Sequence, residues 1–168
     1  MNVHFKITER LRTLIQDDLR RPHRFAAERV GFIACRCGED STGLVVVAHD
    51  YLPVADEHYL RDNTVGAMMS ADAIRGALQH SLTNKVSIFH VHDHGGMGIP
   101  GPSRTDTREW ANFVPNFWNI QPELPHGALI LSDDSALGYC WIPRGDQPVL
   151  IDRFTIVGSR LRWWRTRR

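Results

Sequence analysis

The chain has 168 residues, of which 42% are hydrophobic and 23% charged, and its formal net charge is +1. This composition excludes a disordered chain and is typical of one folded domain with a substantial core. A net charge this small gives no reason to expect nucleic acid as a partner. No apolar run approaches the roughly 18 residues of a membrane span, and the first residues lack the apolar core of a signal peptide. We therefore expect a cytoplasmic protein without a membrane partner.

The first half of the chain is predicted to contain a helix and two strands. The helix runs from about Thr8 to Arg20, with apolar residues at helical spacing and Thr8 as its N-cap. A strand from Glu28 to Cys35 and another from Leu44 to Ala48 follow, and the turn between them is expected at Gly38 to Gly43.

The second half continues with helices and strands in alternation. Pro53 to Gly66 is expected to be irregular, and Ser70 then caps a helix that leads to the strand Val86 to His92. A further helix runs from Ser103 to about Asn112. Three later strands are predicted at Ala128 to Leu131, Ala136 to Ile142 and Asp152 to Val157. The prediction is one α/β (α+β) domain over residues 1–168, a curved mixed sheet with flanking helices, in which residues 160–168 form a basic tail.

The stretch from Ile88 to Asp106 carries the residues best suited to chemistry. His90 and His92 are one residue apart at the end of a strand, so their side chains share a face and can bind one metal ion. Ser103 is placed as a helix N-cap and Asp106 three residues later, where its carboxylate can reach back toward that ion. Two imidazoles and one carboxylate leave a fourth position for water, which is typical of a hydrolytic zinc site.

Each part of this pattern also has an ordinary structural interpretation. A histidine on a strand is by default a hydrogen-bonded core residue, and Ser103-x-x-Asp106 is a common helix-capping box. The capping interpretation is compatible with metal binding, because the cap also sets the direction of the carboxylate. Phe117 and Trp118 suit either contact with a substrate or an apolar plug that closes a loop onto the core.

Together these residues resemble the JAMM (JAB/MPN) family of zinc metallopeptidases. The family pattern is an early E-x-x-G, then H-x-H, a spacer, and S-x-x-D. The chain matches it with Glu28-x-x-Gly31, His90-Val91-His92 and Ser103-x-x-Asp106. The resemblance covers about Glu28 to Leu131, the order of the predicted elements agrees with it, and it implies the JAB/MPN-like fold.

Two features depart from the family pattern. The family usually has proline after the second histidine and seven residues before the serine, whereas here Asp93 follows and ten residues, Asp93 to Pro102, precede the serine. The glycines of this loop allow it to fold back on itself. The longer loop leaves three roles open for His94: a residue that positions a ligand, a substrate contact, or a plain loop residue, which is the ordinary case.

The resemblance implies a set of roles for individual residues. His90, His92 and Asp106 would hold one Zn²⁺ per chain. Glu28 would be the general base that accepts a proton from water and delivers it to the leaving amine. Ser103 would donate a hydrogen bond to the oxyanion.

The resemblance also implies a substrate class. Family members cleave isopeptide or peptide bonds after the C-terminal glycine of ubiquitin and ubiquitin-like proteins. Short single-domain members occur in bacteria beside ubiquitin-like conjugation enzymes, some of them antiviral. We therefore expect a deubiquitinase-like hydrolase whose partners are a ubiquitin-like protein, its conjugates and conjugation-pathway enzymes. The polar segments Asp56 to Asp62 and Asn112 to His126 would bind the substrate tail as an added strand, with His94, Phe117 and Trp118 as candidate contacts.

Two other functions are compatible with the same residues. HVHDHGG, from His90 to Gly96, is similar to the H-x-H-x-D-H motif of the metallo-β-lactamase fold, although the aspartate comes one residue early and the further ligands are hard to find downstream. The other alternative is a JAMM-like binding scaffold without catalysis, but all five site positions carry competent residues. One zinc ion per chain would indicate the peptidase, two the lactamase fold, and none the scaffold.

The C-terminal segment, Arg160 to Arg168, contains five arginines and two tryptophans. Such a segment could bind nucleic acid through phosphate contacts and base stacking, or dock on a partner protein. Tryptophans folded onto the domain are the more ordinary arrangement. Because the total charge is only +1, we expect packing against a partner or the core and not a nucleic-acid function.

Overall fold

A curled nine-stranded mixed sheet organises the fold of the computed structural model, which describes residues 1–24, 26–62, 64–145 and 147–166. The strands are β1 (Val3–Thr8), β2 (Val30–Asp40), β3 (Gly43–Pro53), β4 (Ser87–Asp93), β5 (His126–Leu131), β6 (Ala136–Trp141), β7 (Val149–Leu150), β8 (Arg153–Val157) and β9 (Arg162–Arg165). Within the described residues there are three α-helices: α1 (Glu9–Leu19), α2 (Ala71–Asn84) and α3 (Arg104–Phe113). Short 3-10 helices lie at Asp56–His58 and Val114–Asn119.

The strand order across the sheet is β7-β6-β5-β4-β2-β3-β1-β8-β9. Three neighbouring pairs are parallel, namely β1 with β3, β1 with β8, and β4 with β5. The other pairs are antiparallel. The predicted single α+β domain, with a curved mixed sheet and helices against it, is therefore confirmed.

The predicted starts of the three helices are confirmed, and each start has a side-chain cap. The Thr8 side chain accepts from the Leu11 amide at the start of α1, and Ser70 accepts from the Ala73 amide at the start of α2. Ser103 caps α3 in the same way. A side-chain oxygen at the N-cap satisfies an amide that has no partner inside the helix.

The strands differ from their predicted extents at several places. β1, β7 and β9 were not predicted, and β9 lies within the segment expected to be a basic tail. β2 ends at Asp40 and β3 begins at Gly43. The turn between them is therefore shorter than the predicted turn from Gly38 to Gly43. The strand predicted from Glu28 corresponds to β2, which begins at Val30, so Glu28 lies just before the strand and not inside it.

The two faces of the sheet pack against different helices. Ile15 and Leu19 of α1 belong to one core cluster with Phe89 and Val91 of β4. On the other face, α2 belongs to a cluster with Ile88 of β4. Because side chains alternate along a strand, the even-numbered residues of β4 face α2 and α3, and the odd-numbered ones face α1.

No helix in the described part of the chain is both long and apolar enough to cross a lipid bilayer.

Candidate metal centre

A cleft of about 1190 Å³ opens at the end of β4, bordered by α3 and by the segment that precedes β2. Its lining includes every residue that the sequence assigned to metal binding or catalysis, and also His94. These residues are Glu28, His90, His92, His94, Ser103 and Asp106. The fold thus brings residues from distant parts of the chain to one concave surface, which is the usual form of a small-molecule or catalytic site.

Three of these residues form the tightest group of candidate ligands. One ligand atom each from Glu28, His92 and His94 lie within 4.8 Å of one another. The Nε2 atoms of His92 and His94 are 3.0 Å apart. Two imidazole nitrogens and a carboxylate oxygen are a donor set that suits zinc. The group could therefore hold a metal ion.

The Asp106 carboxylate completes the group from the side of α3. Its Oδ1 lies 3.5 Å from His92 Nε2 and its Oδ2 lies 3.9 Å from His94 Nε2. A capping box sets this position: the Ser103 amide donates to Asp106 Oδ2 at 2.7 Å, and the Asp106 amide donates to Ser103 Oγ at 3.1 Å. The predicted capping box is confirmed, and it aims the carboxylate at the histidines.

The backbone at Glu28 is held in place by the backbone of a distant loop. The amides of Ala27 and Glu28 both donate to the Gly66 carbonyl, at 2.8 Å and 3.0 Å. A Cβ atom at position 66 would come within 2.8 Å of Glu28 Oε2. Glycine at this position therefore gives the carboxylate the space it occupies.

His90 lies outside the group of candidate ligands. Its side chain is buried between the rings of Phe32 and Phe113, and the indole N–H of Trp110 donates to His90 Nδ1 at 3.3 Å. A neutral imidazole that accepts at Nδ1 carries its proton on Nε2, so it offers a donor there and not a lone pair. The sequence predicted His90 and His92 as the histidine pair, whereas the structure brings His92 and His94 together.

The backbone after β4 explains why His94 joins the site. The His94 amide donates to the Leu131 carbonyl at 3.0 Å, which continues the line of the strand past Asp93. Side-chain alternation therefore places His94 on the same side as His92. Gly95 and Gly96 follow with φ of 63° and 70°, a left-handed conformation that turns the chain away. His94 is consequently more than the plain loop residue that the sequence suggested.

Asp93 points to the opposite side of the strand, away from the metal group. Its side chain is 3% exposed, and it accepts from Arg20 Nη2 at 3.0 Å and from Gln16 Nε2 at 3.2 Å, both on or next to α1. The Gly95 amide also donates to it. An aspartate engaged in this way is not a ligand of the site, which weighs against the metallo-β-lactamase interpretation.

Burial sets the protonation states in the cleft. It lowers the pKa of His92 to about 4 and that of His90 well below its usual range, so both are neutral at pH 7. A neutral imidazole is the form that binds metal. Burial raises the pKa of Glu28, the nearby Asp106 charge raises it further, and His94 opposes this increase. A cation at the centre would offset the repulsion between the two carboxylates.

The two aromatic candidates for substrate contact have structural roles. Phe117 is 1% exposed and stacks on His126 with a centroid distance of 5.2 Å, so it belongs to the core and presents no surface to a ligand. Trp118 is partly buried and donates from Nε1 to the Leu124 carbonyl at 3.0 Å. For Phe117 the structure supports the apolar plug that was the alternative interpretation.

No protein-family model matches the chain, and a search of curated proteins likewise finds no match.

Proposed function

We propose that the chain is a zinc-dependent peptidase or isopeptidase of the JAMM (JAB/MPN) type that cleaves after the C-terminal glycine of a ubiquitin-like protein. One observation carries the proposal: ligand atoms of Glu28, His92 and His94 lie within 4.8 Å of one another. Asp106 and Ser103 lie beside them in the same cleft. The set thus includes candidate metal ligands, a candidate general base and a candidate hydroxyl donor, which are the parts that metal-assisted amide hydrolysis uses.

The proposed ligands are His92, His94 and Asp106. They differ from the sequence-based set in that His94 replaces His90, whose Nδ1 is engaged by Trp110. Counted from His94, eight residues, Gly95 to Pro102, precede the serine. This spacing is closer to the seven residues of the JAMM pattern than the ten counted from His92. The geometry and the motif therefore favour the same histidine pair.

Glu28 is the proposed general base. The chemistry that a bound zinc ion supplies is Lewis acidity, which polarises a carbonyl oxygen and lowers the pKa of water to about 7. Burial raises the pKa of Glu28 from its ordinary value, and a raised pKa is the direction of shift that suits a carboxylate general base. Its carboxylate accepts the proton of the attacking water and later delivers it to the leaving amine.

Ser103 is the proposed donor to the oxyanion. Its Oγ accepts from the Asp106 amide at 3.1 Å. A hydroxyl can accept one hydrogen bond and donate another, so Ser103 keeps its proton for the oxygen that becomes negative in the transition state. Removing such a donor typically costs about 2.7–4 kcal/mol of transition-state stabilisation.

The substrate class rests on the resemblance and on the shape of the cleft. The cleft continues from the metal group between two segments, Leu19 to His23 and Thr64 to Met69. We propose that the extended C-terminal tail of a ubiquitin-like protein lies there and exposes its last peptide bond to Glu28. Enzymes of the same conjugation pathway are the further partners that this function entails.

Cleavage of a panel of ubiquitin-like fusions tests the proposal. Zinc-loaded protein should cut directly after the terminal glycine, and a chelator should abolish the cut until zinc is returned. Glu28→Gln should keep one zinc ion per chain but lose about 10²- to 10⁴-fold in rate, the usual contribution of a general base. His92→Ala should lose both zinc and activity.

A matched carboxylate provides the control for that experiment. Glu109 lines the same cleft, but its carboxylate pairs with Arg108 at 2.9 Å, so Glu109→Gln should retain near wild-type cleavage. If Glu28→Gln cleaves as fast as the Glu109→Gln control, Glu28 is not the base. Two zinc ions per chain would indicate the lactamase fold, and none a binding scaffold.

A further inference from the structure

The β3-β1-β8-β9 end of the sheet has one face that is open to solvent. α1 covers the opposite face, where Ile15 and Leu19 share a core cluster with Phe5 and Ile156. On the open face, Val47, Val157, Arg36 and Arg165 are exposed, while His4, Lys6 and Arg153 are partly exposed. A sheet face that is left uncovered in a folded domain is normally polar. This face carries four cationic side chains and one exposed tryptophan.

The strand pairing aligns its side chains in two rows. Directly paired residues point to the same face of a sheet, so the observed registers define both rows. The first contains Val45, His4, Arg153 and Arg165, and the second contains Arg36, Val47, Lys6, Thr155 and Trp163. With neighbouring strands ~4.8 Å apart, the second row spans about 19 Å. We call these two rows the basic face.

The basic face concentrates positive charge. Its four cationic side chains are Lys6, Arg36, Arg153 and Arg165. Two carboxylates lie at its rim: Asp40 accepts from the Thr42 amide and hydroxyl, and Asp152 accepts from the Val3 amide. The pKa of His4 is lowered by burial and then by the charges of Lys6 and Arg153, against a smaller opposing effect of Asp40. The cations therefore dominate the potential near His4.

An exposed tryptophan lies at the end of the second row. Trp163 is 58% exposed, and the guanidinium carbons of Arg153 and Arg165 lie 5.6 Å and 5.7 Å from its ring centroid. Its neighbour Trp164 faces the other way and stacks on Phe154. Nucleic-acid bases stack both on aromatic rings and on guanidinium planes, and the same guanidinium groups bind phosphates.

We propose that the basic face binds single-stranded nucleic acid, with a base stacked on Trp163 and the backbone phosphates on Arg153, Arg165 and Lys6. An acidic protein segment would bind the arginines but would leave the exposed part of the Trp163 ring uncovered, so the ring favours a nucleic acid. The sequence-based expectation was the opposite, because a net charge of +1 conceals how the charges are distributed. This proposal is independent of the peptidase proposal.

Fluorescence anisotropy with a labelled 12-nucleotide oligothymidylate tests the proposal on the full chain. We expect saturable binding at 50 mM salt that quenches tryptophan emission and weakens steeply at 200 mM salt. Trp163→Ala should reduce affinity about tenfold, whereas Trp163→Phe, which keeps a ring, should bind within about twofold of wild type. The double variant Arg153→Gln/Arg165→Gln should lower the slope of log K against log salt by about 1.4.

The matched control removes the same number of positive charges elsewhere. Arg75 on α2 and Arg144 in the turn after β6 are both exposed, so Arg75→Gln/Arg144→Gln should retain wild-type affinity and salt dependence. Three results would overturn the proposal. The first is that the oligonucleotide does not bind at 50 mM salt. The second is that variants of the basic face bind it as tightly as the control variant does. The third is that an acidic peptide binds as tightly as the oligonucleotide and depends on Trp163 to the same extent.

Discussion

At the scale of single residues, the site depends on which histidines of an alternating series face the candidate metal centre. His90, His92 and His94 lie on the same side of the line of β4, so the sequence pattern treats them as equivalent. Trp110 distinguishes them, because its indole N–H occupies the Nδ1 lone pair of His90. The candidate ligand pair is therefore His92 and His94, next to Asp106, and not the predicted pair of His90 and His92.

Gly66 provides a test of the position of Glu28. Gly66→Ala places a methyl group within 2.8 Å of Glu28 Oε2 and should displace the carboxylate, while the proposed zinc ligands are untouched. We expect zinc affinity to stay within about twofold and kcat/KM to fall by about 10²-fold, the usual cost of a displacement near 1 Å at a catalytic group.

Gly76 provides the control, because a Cβ atom there meets nothing within 4 Å. Gly76→Ala lies inside α2 and should leave cleavage unchanged while stabilising the protein by about 0.5–1 kcal/mol. Equal kcat/KM values for the two alanine variants would contradict the proposed role of Glu28.

At the scale of elements, helix α1 and the turn between β5 and β6 hold the loop that carries His94. Arg20, at the end of α1, contacts Asp93 at 3.0 Å and Asp133 of the turn at 2.6 Å. The Asp133 amide in turn donates to the Gly96 carbonyl at 2.8 Å. The backbone on both sides of His94 is thus bound to rigid parts of the fold, which would fix this candidate ligand before a metal ion binds.

Asp93→Asn tests this arrangement. The amide cannot accept all the hydrogen bonds that the carboxylate accepts from Arg20, Gln16 and Gly95, so the loop should become less well positioned. Zinc affinity, measured by competition with a chelator, should fall about 10- to 100-fold. Asp72→Asn removes a surface carboxylate of α2 and should leave zinc affinity unchanged. A similar loss in both variants would show that Asp93 acts through general stability and does not position the loop.

The elements that could be predicted from the sequence are those with local signals. Thr8, Ser70 and Ser103 each cap a helix through a hydrogen bond to an amide three residues later, so the helix starts were evident in the chain itself. β7 and β9 were missed because they are short strands at the two edges of the sheet, with two and four residues. β1 was missed because its partners β3 and β8 are distant in sequence, so no local turn signal marks the pairing.

The candidate site was predictable to the extent that its chemistry is encoded in residue type and spacing. The capping box of Ser103 and Asp106 follows from local spacing and was predicted. The choice of His94 over His90 depends on the Trp110 hydrogen bond and on the turn at Gly95, both of which are tertiary features. The alternation of side chains along a strand does not by itself distinguish His94 from His90.

At the scale of the whole molecule, the distribution of charge over the surface says more about partners than the net charge does. The net charge of +1 argued against a polyanionic partner, but the pairing of β1, β8 and β9 collects cations on one face. The same sheet places the cleft at the end of β4, where it is lined by residues from Leu19 to Asp133. One curled sheet thus supports a candidate hydrolytic centre and, on its uncovered end, a candidate binding face.

Zinc should stabilise the whole fold, because its ligands come from β4, the loop that follows it and α3. At a free zinc concentration about 1,000-fold above its Kd, binding contributes about 4.1 kcal/mol, which for a domain of this size raises Tm by about 8 to 16 °C. Thermal unfolding with zinc and with chelator measures this shift. His92→Ala should show no shift, and an equal shift in that variant would place the zinc elsewhere.

The proposed zinc site of His92, His94 and Asp106 is tested most directly by an anomalous difference map, recorded at the zinc absorption edge from a crystal of the zinc-loaded protein. We expect one peak per chain, about 2.0–2.2 Å from Nε2 of His92, Nε2 of His94 and a carboxylate oxygen of Asp106. A peak bound by His90 in place of His94, or no peak in this cleft, would contradict it.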